Sequence, residues 1–158
     1  MKKLIILLVS TLLAACGTTP MNYSPKKISI NDANETVERL IMTQHRNWRP
    51  DYFVITDKYF GWDYGSVQSG RSSGAVYNNV LVASSQSTVR DVNERVYYLD
   101  VTNVQLYDWT RKFKQWYTVG LLDKNGNVIK HVLRTRDLED AELMVDSLNT
   151  ILAEHQIN

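Results

Sequence analysis

The chain has 158 residues, 44% of them hydrophobic, with 18 basic side chains, 17 acidic ones and one cysteine. That length gives one domain with a proper core, and a net charge of +1 excludes the broad positive field that nucleic-acid binding uses. A lone cysteine excludes an intramolecular disulfide.

Lys2 and Lys3 precede an apolar run over residues 4–13, interrupted only by Ser10 and Thr11, and then come Ala14, Ala15, Cys16 and Gly17. A basic head, about a dozen apolar residues and small residues at the cut make a secretory signal; a bilayer-crossing helix needs roughly 20 apolar residues. Leu13-Ala14-Ala15-Cys16 resembles the lipobox of bacterial lipoproteins. The resemblance implies that residues 1–15 are a signal peptide, that Cys16 carries diacylglycerol on its sulfur, and that its new amine takes a further acyl chain such as palmitate. One chain anchors only marginally, at about 0.8 kcal/mol per buried methylene, whereas three hold the protein permanently. Gly17 occupies the position where an aspartate retains many such proteins at the inner membrane. The resemblance therefore implies lipid anchoring in the cell envelope, at the outer membrane facing the periplasm. The mature chain of 143 residues holds 16 basic and 17 acidic side chains.

Residues 16–27 are polar and contain Pro20 and Pro25. They read as a tether, with a root-mean-square reach of roughly 20 Å for a loose coil, ahead of a single domain over 28–158. Asn31 or Asp32 can cap a first helix, with Glu35 completing a capping box. Ala33, Val37, Leu40 and Ile41 give it an apolar face, and Pro50 limits its end. The period then changes to two: Tyr52-Phe53-Val54-Ile55 and Tyr59-Phe60-Gly61-Trp62-Asp63-Tyr64 predict two strands around a turn at Thr56-Asp57-Lys58. Residues 65–74 and 84–94 are loops by composition, with a strand over 76–83 between them. Further strands are expected at 97–99, 104–107 and 116–122. Asn125-Gly126 is a hairpin turn leading into a return strand over 128–134. Thr135 or Asp137 then caps a last helix, whose Leu138, Ala141, Val145, Leu148 and Leu152 recur at spacings of three and four.

The order is helix, six or seven antiparallel strands, helix: an α+β domain with a curled sheet or small barrel. Residues 53–60, 97–104 and 138–142, as a first hairpin, a pre-strand segment and a helix opening, are similar in pattern to the pleckstrin-homology-like fold. That resemblance implies a binding scaffold, although fold alone does not assign function.

Catalytic patterns are sparse. Gly70-Arg71-Ser72-Ser73-Gly74 matches the nucleophile elbow of α/β-hydrolases, but that elbow needs a strand-to-helix turn, and here a strand follows. His131 or His155, with an acid such as Asp100, would have to complete its triad. None of the three histidines has a metal-ligand partner at helical spacing, so neither a metal nor a cofactor is expected, and no enzymatic activity. His131 alternates with Ile129 and Leu133 and is expected to face inward.

Trp109-Thr110-Arg111-Lys112-Phe113-Lys114-Gln115-Trp116 interleaves three cations with three aromatics in an expected hairpin loop. Arg and Lys can meet phosphates while Trp and Phe enter a headgroup layer; the alternative is that the tryptophans fold back into the core. Phe60, Trp62 and Tyr64 share one strand face, which is a partner site if exposed and packing if buried. Candidate partner or lipid contacts are therefore Trp62, Trp109, Arg111, Lys112, Phe113 and Lys114, with Cys16 as the lipidation site. The sequence reads as a lipid-anchored binding or scaffold module for an envelope protein; the alternatives are a small-ligand or phospholipid-binding protein and, further off, an envelope hydrolase.

Overall fold

A computed structural model describes residues 18–77, 80–111 and 114–156, with the backbone alone over 66–92. The signal peptide expected at 1–15, and Cys16, Lys112 and Phe113, lie outside the described residues.

Helix α1 (Ile30–Thr43) starts at Ser29, whose hydroxyl accepts from the Asp32 amide at 3.1 Å and donates to the Asp32 carboxylate at 2.7 Å. The cap is Ser29, not Asn31 or Asp32, because its hydroxyl can both donate and accept across the first turn. Ala33, Val37, Leu40 and Ile41 are buried, as their spacing requires.

Strands β2 (Tyr52–Ile55) and β3 (Tyr59–Tyr77) form the expected hairpin. The Thr56 hydroxyl closes its turn by accepting from the Tyr59 amide at 3.0 Å. Strand β4 (Val80–Tyr97) completes an antiparallel sheet of order β2-β3-β4. The segments 65–74 and 84–94, expected to be loops, fall almost entirely within the arms of this hairpin, paired from Ser66 opposite Asp91 to Tyr77 opposite Val80. Backbone groups alone make a ladder, and beyond Asp63 β3 pairs with β4 and no longer with β2. Polar, glycine-rich arms can therefore pair without the apolar alternation by which strands are recognised. Gly65, at φ +72°, sits where the register shifts between Asp63 and Ser66, as a bulge glycine does.

Tyr98–Asp100 is a short 3-10 turn instead of a strand. Tyr98 plunges into the core, where its hydroxyl donates to the Thr56 carbonyl at 2.6 Å. Strands β5 (Asn103–Arg111), β6 (Lys114–Leu122) and β7 (Val128–Thr135) follow as a meander. Its second turn is held by the Asp123 carboxylate, which accepts from the amides of Asn125 and Asn127, with Gly126 at φ +79°. Helix α2 (Leu138–Gln156) is capped by Asp137, which accepts from the Glu139 amide at 2.9 Å. It packs on α1 and on β5, β6 and β7, while α1 covers β2. One core joins both helices and both sheets.

The α+β class holds, with two helices and seven antiparallel strands among the described residues, but the strands form two sheets and no closed barrel. A short strand β1 (Thr18–Pro20) precedes the expected elements. It occupies the outer edge of β5, giving the order β1-β5-β6-β7.

That strand also corrects the loose tether. From Thr18 onward the segment is docked: the Met21 amide donates to the Leu106 carbonyl at 2.8 Å and Gln105 Nε2 donates to the Met21 carbonyl at 2.8 Å. Asp146, 4% exposed, accepts from the Tyr23 hydroxyl at 3.1 Å and the Lys26 amide at 2.7 Å. A buried carboxylate needs donors, and the polar segment supplies them. Burial and the Asp146 carboxylate push the Tyr23 hydroxyl up to about 12.

Candidate functional site

Trp109 and Trp116 stand opposite each other at the far end of the β5-β6 hairpin, which pairs as strands as far as Arg111 opposite Lys114. Their ring centroids are 6.4 Å apart. Trp48, in the tight turn after α1, joins them at 5.9 Å from Trp109 and edge-on at 5.1 Å from Trp116. None of the three belongs to the buried core, so the tryptophans do not fold back into it.

Three guanidinium groups lie over these rings. Arg111 is 5.8 Å from the Trp48 centroid and 5.5 Å from that of Trp109; Arg134 is 5.5 Å from Trp48; Arg136 is 5.9 Å from Trp116. Each such contact is worth about 0.5–1 kcal/mol at an exposed site, which holds the guanidinium groups without neutralising them. Among the described residues no ion pair joins a carboxylate to any of the three, whereas Lys130 pairs with Glu94. Burial lowers the affinity of Arg134 for its proton, and nearby Arg111 adds to this while Tyr64 opposes it. An open cleft of about 160 Å³ runs beside Trp116, Arg134 and Arg136, with Asp140 the one acid lining it. The arrangement suits a ligand that carries anionic groups and tolerates indole rings.

The structure brings Trp109, Arg111 and Lys114 to this end of the molecule. Trp62 is elsewhere, 3% exposed, stacked among Phe53 and Phe60 with the Lys130 ammonium 4.7 Å from its ring. Its strand face points into the core, so Trp62 is packing and offers no contact surface. Trp48, Arg134 and Arg136 were missed. Two arginines two residues apart at the end of a strand share a face, and that spacing was a readable signal; nothing local marked Trp48.

The opposite face of the β2-β3-β4 sheet carries a second surface. Tyr52, Val54, Tyr59, Asp63, Asn93 and Arg95 surround Gly61, forming an open notch of about 160 Å³. A Cβ on Gly61 would come within 2.9 Å of Val54 Cγ1. Tyr59 and Tyr97 meet edge-on at 5.4 Å, and Arg95 lies 5.1 Å from the Tyr59 centroid. Tyr52 is 61% exposed, Tyr97 45% and the adjacent Leu99 85%.

His131 is half-buried, its Nδ1 3.3 Å from the Thr118 hydroxyl and its ring edge-on to Tyr107; burial, and then Arg134, push its pKa down. His155 stacks on Tyr98 at 5.0 Å. The backbone of Gly70 to Gly74 lies within β3, so it is not the turn that a nucleophile elbow needs. Among the described residues no group of three or more His, Cys, Asp or Glu could hold a metal, and no helix is long and apolar enough to cross a membrane. No protein-family profile, curated protein or solved structure matches this chain.

Proposed function

We propose that this chain is a non-enzymatic, lipid-anchored protein of the cell envelope whose single domain is a binding or scaffold module for an envelope protein. The observation that carries this reading is the open sheet face on which Tyr52, Tyr59, Tyr97 and Arg95 stand together, with exposed Leu99 two residues after Tyr97 in the chain. Tyrosine and arginine are the side chains that anchor protein interfaces, and contiguous exposed apolar surface marks interaction sites. The lipobox-like Leu13-Ala14-Ala15-Cys16 supports the envelope location, and Gly17, in place of an aspartate, supports the outer membrane facing the periplasm. The pleckstrin-homology-like resemblance belongs to the same proposal as the kind of scaffold involved; it assigns no ligand. Photo-crosslinking in intact cells tests it, with probes at Tyr52 and Leu99 and a control at Lys124 in the exposed turn. One discrete envelope protein captured at the first two sites and not at the third is the expected result. Capture of nothing, or of the same mixture at all three, overturns it.

A second reading, phospholipid binding, is favoured by the Trp48–Trp109–Trp116 cluster. Guanidinium groups with no acidic partner among the described residues are free to pair with phosphate, and indole rings settle at headgroup depth. The two readings use different faces and are compatible.

A further inference from the structure

The start of β1 fixes where the anchor must lie. Thr18 stands opposite Trp109, Thr19 opposite Asp108 and Pro20 opposite Tyr107. Cys16 is two residues before Thr18. Whatever path those residues take, the chain spans at most about 3.6 Å per residue, so the two Cα atoms are within about 7 Å of each other. Thr18 and Trp109 are a cross-strand pair, about 5 Å apart. The described chain thus begins, two residues after Cys16 in sequence, beside the end of the β5-β6 hairpin, where three of the protein's four tryptophans and the guanidinium groups of Arg111, Arg134 and Arg136 collect.

We propose that this end is the face on which the anchored domain rests: the acyl chains of Cys16 enter the leaflet, and Trp109, Trp116, Arg111 and Arg136 engage the phosphates and glycerol region of the surrounding phospholipids. The inference rests on the lipid-anchor reading and gives the second binding reading its ligand. Two independent observations converge on it. The docked strand leaves no long tether with which the domain could stand away from the bilayer, and the surface beside its starting point has the chemistry of a membrane interface: indole rings for the headgroup layer and cations for its phosphates. Arg111, Arg136 and Lys114 are exposed and so can reach a surface without disturbing the core. A domain held this way has a fixed orientation on the membrane instead of tumbling on a leash.

The test uses the full acylated protein, extracted from membranes and reconstituted in vesicles of phosphatidylethanolamine and phosphatidylglycerol whose acyl chains carry bromine near the headgroup. Mass spectrometry of the N-terminal peptide reads acylation separately. Bromine quenches indole emission on contact, so strong quenching is expected in the parent protein and loss of most of it in Trp109→Phe/Trp116→Phe. Arg111→Glu/Arg136→Glu, at positions outside the core, should weaken the approach to the surface; a cation near an anionic membrane contributes about fivefold in partitioning, and high salt should act in the same direction. Acylated, folded protein whose tryptophans are not quenched overturns the inference and leaves the anchor standing, as does quenching unchanged by the tryptophan pair. In intact cells, capture of a protein instead of lipid by a photo-probe at Lys114 also overturns it. An N-terminal peptide without acyl mass overturns the anchor reading and this inference together.

Discussion

At His131 a half-buried imidazole meets a hydroxyl, a tyrosine edge and the field of Arg134, and burial is the larger of the two causes that lower its pKa from 6.5. The sign of the linkage follows. The folded state prefers the neutral ring, so its contribution is fully present above about pH 6.5 and is lost as the pH falls through the lower folded value. A urea titration should therefore show less loss of stability between pH 7 and pH 5 in His131→Gln than in the parent protein, although carboxylates contribute to both curves. Parallel curves would mean that the ring carries no differential protonation. Gly61 poses a steric question. A methyl group there meets a β-branched neighbour at 2.9 Å, and valine has little freedom to turn away. Gly61→Ala should cost about 1 kcal/mol by overpacking, and Val54→Ala in the same chain should recover most of it. A double-mutant cycle in urea checks this; strict additivity would show that the two positions do not compete for space.

The segment from Thr18 to Lys26 is secured at two places, the edge of β5 and the Asp146 carboxylate. Asp146→Ala leaves a tyrosine hydroxyl and a backbone amide without their acceptor, a loss of about 1–3 kcal/mol. The loss should be local, so hydrogen exchange at the Met21 amide, which bonds the Leu106 carbonyl, should accelerate while amides of α1 keep their protection. An unchanged Met21 amide would show that β1 holds without the carboxylate. Nothing in the segment's composition announced this docking, because a three-residue edge strand has no period to read and its partner lies almost ninety residues away in sequence. The same limit hid the split into two sheets, since which strands pair across long sequence separations is not written in local periodicity. Elements that carry their own periodicity were legible: the apolar faces of both helices, the hairpin around Thr56 and the turn at Asn125-Gly126 all stand where spacing put them. The polar arms of β3 and β4 were not, since a ribbon that pairs with itself has no buried face to impose alternation. Half the candidate site was visible as the run from Trp109 to Trp116; its other half arrives on the turn after α1 and on the end of β7.

One core serves the whole molecule, although its strands form two sheets. Phe60 is fully buried at its centre, 6.3 Å from Phe53, 6.1 Å from Trp62 and edge-on at 4.8 Å to Tyr98. The same cluster continues through Leu106, Val119 and Leu133 of the other sheet and through Leu40, Ile41, Leu148 and Ile151 of the helices. The tryptophan cluster lies outside that core but on the same framework, since Trp109 and Trp116 sit on strands β5 and β6, whose inner residues are core members. Phe60→Ala should therefore cost about 3–5 kcal/mol through lost burial and the cavity left behind. The loss should be shared by probes that never touch residue 60. Far-ultraviolet dichroism reports both helices, and tryptophan emission reports mainly Trp48, Trp109 and Trp116, three of four indoles and the more exposed ones. If the sheets are one cooperative unit, both signals shift to the same lower denaturant midpoint in the variant. If the β2-β3-β4 sheet opens alone, emission keeps its original midpoint while part of the dichroism change moves down. The first outcome makes the tyrosine face and the tryptophan end two surfaces of a single rigid body, so that fixing one against a membrane fixes the direction in which the other is presented. The second would uncouple them, and an anchored domain could then offer its tyrosine face at any angle.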